Sequence, residues 1–367
     1  MIEEIQAKTD SRPVLTIAIP TYNRARYLRE LLSVLFDQLV AEPRVELIIS
    51  DNASPDETPQ VIEEFVKRGL PLRNIRNKTN IGADANFMQC FEQAQGKYFW
   101  LFGDDDVIVP GGVARILALL DRQDYAIAYV STYEFRNDYV TERTWDKFGR
   151  IAEPLTGGLE LIRRIGAMVT FISAMIVNKD RYLNSVHPPM DRLIGTNLMQ
   201  LGYLLPVVAS SVSNLYIWER IVGARGGNCS GWGACQVFGI NLKRVAEQYI
   251  GDRRDIVTAL CNHTLQNWFP GTIMESREGT GSQLNSENMC ELLEPIYKTN
   301  GRYWFYVYPL IKLPLAMARL WYSFVRVLNR VIRVIPMMLR YWFRNERIVQ
   351  NQINTPSAPE MQKQVAP

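Results

Sequence analysis

Along the N-terminal third of the chain, short apolar runs alternate with amphipathic stretches. Val14–Pro20 (VLTIAIP) is apolar, rich in β-branched residues and closed by proline, the pattern of a buried strand. Over Tyr27–Leu39 the residues Leu28, Leu31, Leu32 and Leu35 recur at helical spacing. Val45–Ser50 (VELIIS) predicts a second buried strand, followed by the turn-forming DNASPDETP and a helix over Gln60–Lys67. Asn74–Arg76 fits a short third strand. Ala83–Gln95 predicts a helix stopped by Gly96, and Tyr98–Phe102 (YFWLF) a fourth strand that runs into GDDD. This β-α-β-α-β-α-β order predicts an α/β fold: a Rossmann-like, mainly parallel sheet with right-handed crossovers and helices on both faces. Ligands of such sheets bind beyond the carboxyl ends of the strands. The polar clusters TYNR, SDNASPD and GDDD each follow a predicted strand.

Farther along, Ala126–Tyr133 reads as a strand, Asp138–Pro154 as a polar connection, Gly158–Ile165 as a helix and Thr170–Val177 as a further strand. From Asp191 to about Ile250 the pattern is mostly helical, broken by GARGGNCSGWGAC, and 276–288 is a polar loop. After Gln350 no hydrophobic period remains, which predicts disorder. The expected division is a tail over 1–12, a catalytic domain over 13–215, an acceptor-side helical region over 216–300, membrane-associated helices over 301–350 and a tail over 351–367.

Charge changes the picture at the C-terminal end. Residues 303–347 hold eight basic side chains and one acid, Glu346, while the rest of the chain is slightly acidic. A bulk nucleic-acid binder would spread its positive charge over the folded body, so the local excess points to an anionic surface instead. Lys312, Arg319, Arg326, Arg330, Arg333, Arg340, Arg344 and Arg347 fall within a helical arc of roughly 100°. Leu320, Trp321, Phe324, Leu328, Val331, Ile335, Leu339 and Trp342 lie opposite. That pattern fits a helix in a membrane interface, kinked at Pro314 and Pro336. A helix packed on the protein body is the other reading. No run of about 20 uncharged apolar residues predicts a membrane span.

With 47% hydrophobic and 22% charged residues, the composition is that of a globular protein. Five cysteines without a CxxC pair, and only His187 and His263, give no zinc site of familiar spacing. The first residues, MIEEIQAKTDSRP, carry no apolar signal core, so the expectation is a cytoplasmic chain bound peripherally to the inner face of the cell membrane.

The sharpest chemical signal is Asp104–Asp105–Asp106. Three adjacent acids repel one another and call for a cation. Hard oxygen ligands suit Mg²⁺ or Mn²⁺, which bridge readily to a diphosphate. The alternative is a solvated acidic turn.

Four ordered pieces carry a resemblance: IPTYNR at 19–24, IISDNASPDET at 48–58, NKTNIGADANF at 77–87 and GKYFWLFGDDDVIVPGG at 96–112. Together they resemble the GT-A glycosyltransferases of family 2. The stretch from LIGTNLMQLGYLLP through RGGN to VFG is similar to the abequosyltransferase-like branch that builds bacterial O-antigen. The resemblance implies that Thr21, Tyr22 and Asn23 border the nucleotide base and that Asp51 hydrogen-bonds it. Asn80 and Gly82 would shape the loop near ribose and diphosphate. The acids would form the metal and ribose site, with Asp105 on the metal and Asp104 on ribose or metal. The family's commoner pattern is DxD followed by another acid, and Gly103 stands where its first acid would be. As plain residues, Asn23 and Asp51 would also serve as helix caps, and Gly82 as a left-handed turn.

An inverting transfer needs a carboxylate base for the acceptor hydroxyl. Asp191, at the start of an apparent helix, is the first candidate and Glu219 in YIWER the competitor. Within Arg225–Trp232, Arg225 would pair with diphosphate and Trp232 stack on a sugar, unless the stretch is only a connector. The expected reaction moves a sugar from a nucleotide-diphosphate donor to a lipid-linked saccharide. A sugar-1-phosphate nucleotidylyltransferase and a non-catalytic membrane adaptor are the rival classes. The first normally shows a glycine-rich loop where PTYNR stands, and the intact acids argue against the second.

Overall fold

The computed structural model describes residues 12–146, 148–227, 233–279 and 288–332. β1 (Leu15–Thr21), α1 (Ala25–Leu39), β2 (Val45–Asp51), α2 (Thr58–Lys67), β3 (Leu72–Arg76), α3 (Ala83–Gln93) and β4 (Tyr98–Leu101) follow in the predicted order. β1 pairs in parallel with β2 on one side and β4 on the other, and β2 pairs in parallel with β3.

The chain then forms β5 (Val107–Ile108), α4 (Gly112–Leu120), β6 (Ile127–Phe135), β7 (Ala152–Thr156), α5 (Gly157–Ile165), β8 (Met175–Asn178), α6 (Lys179–Leu183), α7 (Leu201–Ser210) and β9 (Ser213–Arg225). The sheet order is β3-β2-β1-β4-β8-β6-β9-β5, with β7 on β9. Only the first half is uniformly parallel. β8 runs antiparallel to β4 and β6, and β5 and β7 run antiparallel to β9, so the sheet is mixed. Two 3₁₀ turns, Gly166–Thr170 and Ile172–Ala174, occupy half of the strand expected over Thr170–Val177 and lead into β8, which runs antiparallel to β4.

β9 corrects the reading of 191–250 as mostly helical, and it carries the sheet past the boundary expected at 215. Val130 of β6 pairs with Ile217, but Thr132 pairs with Val222, so β9 bulges over Trp218–Ile221. The bulge interrupts the period-two pattern and places the half-buried Glu219 and Arg220 inside a strand, which hides it from periodicity.

Strand alternation builds a core on each face of the sheet. Leu15, Ile17, Ile19, Tyr98 and Trp100 pack with α1, α2 and α4, whereas Ala18, Ile48, Phe99 and Leu101 face α3, α5 and α7. The second face is thickened by α8 (Leu242–Ile250), α9 (Arg254–His263), α10 (Phe269–Arg277), α11 (Met289–Tyr297) and α12 (Tyr308–Lys312). The described part of a last helix, α13, covers 315–332.

The segment from 301 onward is not a detachable appendage. Tyr303, Val307 and Leu310 are fully buried in that core, and α13 adds Ala318 and Val325. The packed-helix reading holds for one side of α13. α13 buries one side and turns Met317, Leu320, Phe324, Val327 and Val331 outward. No described helix is long and apolar enough to cross a membrane. Arg333, Arg340, Arg344, Arg347, the tail over 351–367 and nearly all of the tail over 1–12 lie outside the described residues.

Candidate active site

The chain runs outward from β1 to β2 and β3, then jumps to β4 on the other side of β1. Such a reversal opens a crevice at the strand ends. Thr21 and Asp51 stand in register at the ends of β1 and β2, and Gly103–Asp106 turn just beyond β4. The Thr21 hydroxyl donates to Asp104 Oδ2 at 2.7 Å, bridging the crevice.

The three acids are held in three different ways. Arg24, just before α1, donates to Asp105 Oδ2 at 2.6 Å and reaches Asp104 Oδ1 at 3.4 Å. Asp106 Oδ1 accepts the Arg225 backbone N–H at 2.9 Å, and Ser173 also hydrogen-bonds this carboxyl. The Ser173 Oγ accepts the Gly103 N–H at 2.9 Å. The Arg225 guanidinium donates to the Asp105 carbonyl at 3.1 Å and to Glu30 Oε2 at 2.6 Å, above the Phe135 ring. Arg225 therefore frames the acid turn from β9, and its guanidinium is already engaged.

Burial is the main force on Asp104 and Asp106. It pushes Asp104 up to about 7, while Arg24 pulls it back and Asp105 pushes it further. Asp106 also rises to about 7, through burial first and then its neighbour Asp105. The turn thus has too little positive charge to keep all three carboxylates ionised, and a hard divalent cation fits it. Among the described residues no three His, Cys, Asp or Glu side chains form a complete metal cage. A cation here would draw its other ligands from phosphate and water, the usual habit of Mg²⁺. A Cβ on Gly103 would lie 3.1 Å from Asp105 Oδ1 and from Asp106 Oδ2. An acid at 103 would crowd the others, which accounts physically for the one-residue offset of the acids.

The loops after β1 and β2 lock together on the other side of Thr21. The Asn23 N–H donates to Ser54 Oγ at 2.9 Å, and the Ser54 N–H to Asp51 Oδ1 at 2.8 Å. Neither Asn23 nor Asp51 acts as a helix cap. Asp56 does, accepting the Ala25 and Thr58 N–H groups at 3.0 Å each. Asp51 is sealed from solvent, and its Oδ2 has no hydrogen-bond partner. Arg76 Nε lies 3.4 Å from that oxygen, close enough for charge pairing without completing a hydrogen bond. Tyr22 is exposed at the rim.

Asn52 organises the adjoining loop. It donates to Asn80 Oδ1 at 2.8 Å and accepts the Ile81 N–H at 3.0 Å, and Asn80 Oδ1 also takes the Gly82 N–H at 2.8 Å. Gly82 has φ 86°, as the expected left-handed turn requires. Next to it, the buried Asp84 accepts the N–H groups of Gly195 and Asn197 at 2.8 and 3.0 Å. Asn23, Ala53 and Asn197 are the described non-glycine residues with left-handed backbone, and all three lie in these linked loops. Strain of this kind concentrates at functional sites.

Asp191 is exposed in a 3₁₀ turn, Met190–Leu193, rather than at the start of an α-helix, and lies on the segment that Asp84 ties to the 80–82 loop. Glu219 sits on the β9 bulge, paired with Arg115 of α4 at 2.8 Å. Trp232 lies outside the described residues. Sequence reasoning missed Arg24, Asn52, Asp84 and Ser173 as organisers. Arg24, Asn52 and Asp84 stood inside quoted motifs, whereas Ser173 carries no local signal because its partners are distant in the chain.

Residues 16–177 match the model of glycosyl transferase family 2, so this part of the chain is similar to that family. It is 33% identical over 179 residues to abequosyltransferase RfbV of Salmonella typhimurium, covering 46% of this chain and 54% of that one. It is also 30% identical over 107 residues to the poly(ribitol-phosphate) beta-N-acetylglucosaminyltransferase TarS of Staphylococcus aureus, over 29% of this chain and 18% of that protein. The chain thus spans about half or less of these relatives. A crystal structure of S. aureus TarS 1–349 in complex with UDP superposes with a TM-score of 0.57 at 16% identity, over 87% of this chain and 91% of that one. That likeness establishes the fold.

Proposed function

We propose that this chain transfers a sugar, with inversion, from a nucleotide-diphosphate donor to a lipid-linked saccharide at the inner face of a cell membrane, in the synthesis of a bacterial surface polysaccharide such as O-antigen. The observation that carries the reading is the pairing, at one switch point, of a charge-deficient acid turn with a sealed Asp51 whose Oδ2 lacks a hydrogen bond. An orphaned buried acceptor beside strained loops suits the N–H of a nucleotide base, and the acids suit a cation on its diphosphate.

Asp105 and Asp104 would hold Mn²⁺ or Mg²⁺, and Thr21 and Arg24 orient their carboxylates. When bound, the metal stabilises the departing nucleoside diphosphate as a Lewis acid. Arg225 and Ser173 fix Asp106 and so the shape of the turn. Asp51 with Thr21, Tyr22 and Asn23 takes the base, while Asn80 and Gly82 shape the wall toward ribose. Asp191 takes the acceptor proton. Glu219, already engaged by Arg115, is the less suited carboxylate. The relatives' names support a cell-surface acceptor, and the outward apolar side of α13 supports work at a membrane.

The test is nucleotide release from a panel of nucleotide sugars, with and without Mn²⁺. Release from one donor class, dependent on the metal, is expected. Pyrophosphate formation from a nucleoside triphosphate and a sugar 1-phosphate would instead identify a nucleotidylyltransferase. Absence of release with every donor would favour an adaptor.

A further inference from the structure

Away from the acid turn, α13 and the helix preceding α10 enclose a cleft of about 330 Å³. Gln266, Asn267, Gly271, Tyr322, Arg326 and Arg330 line it. Its two walls are pinned to each other: Gln266 Nε2 donates to Asn329 Oδ1 at 2.8 Å, and Asn329 Nδ2 returns a bond to the Gln266 carbonyl at 3.1 Å. Arg302 approaches the same wall, donating to Gln266 Oε1 at 3.3 Å. Among the described residues no acidic side chain forms an ion pair with Arg326 or Arg330. The contrast within the helix is direct, because Arg319 is neutralised by Glu278 at 2.8 Å.

The cleft borders the outward stripe of α13. Met317, Leu320, Phe324, Val327 and Val331 recur every three or four residues and are all exposed. Beside them runs an aromatic group: Trp321 contacts Phe305 at 5.2 Å and Phe324 at 5.4 Å, and Trp304 is also exposed. Apolar side chains flanked by tryptophan and by unpaired arginines match the layering of a membrane interface: acyl chains, an aromatic belt, then phosphates. Beyond the described residues the sequence adds four more arginines up to Arg347 against Glu346 alone. A protein partner would need a continuous acidic surface to answer this charge, and an anionic leaflet supplies it everywhere.

We propose that this cleft seats the phosphate of an anionic membrane lipid while the stripe of α13 lies in the acyl layer. Arg326 and Arg330 take the phosphate oxygens, and the Tyr322 hydroxyl and Asn267 carboxamide complete the polar lining. This deepens the membrane part of the function proposed above and does not depend on which sugar is transferred.

The experiment measures binding of the full chain to vesicles of phosphatidylcholine alone and with phosphatidylglycerol, at low and high salt. Nucleotide release from the donor is followed in parallel. Wild type should bind the anionic vesicles more tightly. Arg326→Gln with Arg330→Gln should weaken that binding about thirtyfold at low salt and reduce its salt dependence. Leu320→Ser with Phe324→Ser should weaken binding to both vesicle types. All four side chains are exposed, so melting temperature and nucleotide release should stay at wild-type values. Unchanged vesicle binding by the arginine variant overturns the cleft as the phosphate seat. No vesicle binding by wild type also overturns it, whether Leu320→Ser with Phe324→Ser abolishes a dimer, revealing a second copy on the stripe, or inorganic phosphate alone raises the melting temperature. If vesicle binding behaves as expected but no donor is turned over, the cleft stands and the transferase reading fails.

Discussion

In the acid turn, Arg24 answers Asp104 and Asp105 while the Arg225 guanidinium is engaged by Glu30 and a backbone carbonyl, and Asp104 and Asp106 are almost sealed from water. Along the cleft of α13, Arg326 and Arg330 face solvent without an acidic partner among the described residues. The first arrangement is preorganised: Thr21, Arg24, Ser173 and Arg225 hold each acid by a named bond, and burial makes the missing positive charge costly. The second is unpaired, and its charges act through a field that water and salt weaken. Conserving such a difference within one chain suits two tasks, gripping one small ligand tightly and meeting a broad surface reversibly.

The largest effects should come from the buried region. Asp105→Asn should lower turnover roughly a thousandfold by removing a ligand that stabilises the leaving group. Circular dichroism and melting temperature should show the fold intact, and full, metal-independent transfer by this variant would refute the metal role. Asp191→Asn should lower kcat about a hundredfold with donor affinity nearly unchanged, since a base acts in the chemical step. Steady-state kinetics decide it: normal turnover here together with a dead Glu219→Gln would transfer the role to Glu219.

The protonation behaviour of the turn sharpens the comparison further. Asp104 and Asp106 have folded-state pKa values near 7, above the ordinary 3.8. Their protonated forms therefore stabilise the fold, and without a cation that contribution is lost as pH rises from about 4 to about 7. A metal competes with the same protons. Below pH 7 its affinity should fall about tenfold per pH unit for each acid that must ionise. Melting scans should show a larger Mn²⁺-induced rise at pH 8 than at pH 5.5, and an equal rise at both would contradict this. The smallest effects lie on α13. Val325→Ala should cost about 2 kcal/mol by opening a cavity under the helix. Leu320→Ser should stay within about 0.5 kcal/mol, as expected for an exposed position. Denaturant titration of both variants reads out which side of α13 belongs to the core.

Much of the donor half was legible because β1, β2 and β4 are buried on both faces and so appear as unbroken apolar runs. The acid turn was legible because three adjacent carboxylates have few structural uses. β9 was not, since its bulge places Glu219 and Arg220 where a strand pattern should continue. Asp84, although inside NKTNIGADANF, was not singled out, because its partners at Gly195 and Asn197 lie on a distant segment. The C-terminal stripe was half legible: helical spacing found the arginines and the apolar side, but could not show that Ala318 and Val325 anchor the same helix to the body.

Arg225 carries a consequence for any attempt to cut or recombine this fold. The family match ends at residue 177, yet the backbone that positions Asp106 and the side chain that grips the Asp105 carbonyl both come from residue 225. A graft ending at 177 would carry all three acids and none of that outer brace. The smallest transplantable unit must run through β9, and a chimera that swaps the downstream helices must keep its crossover beyond that strand.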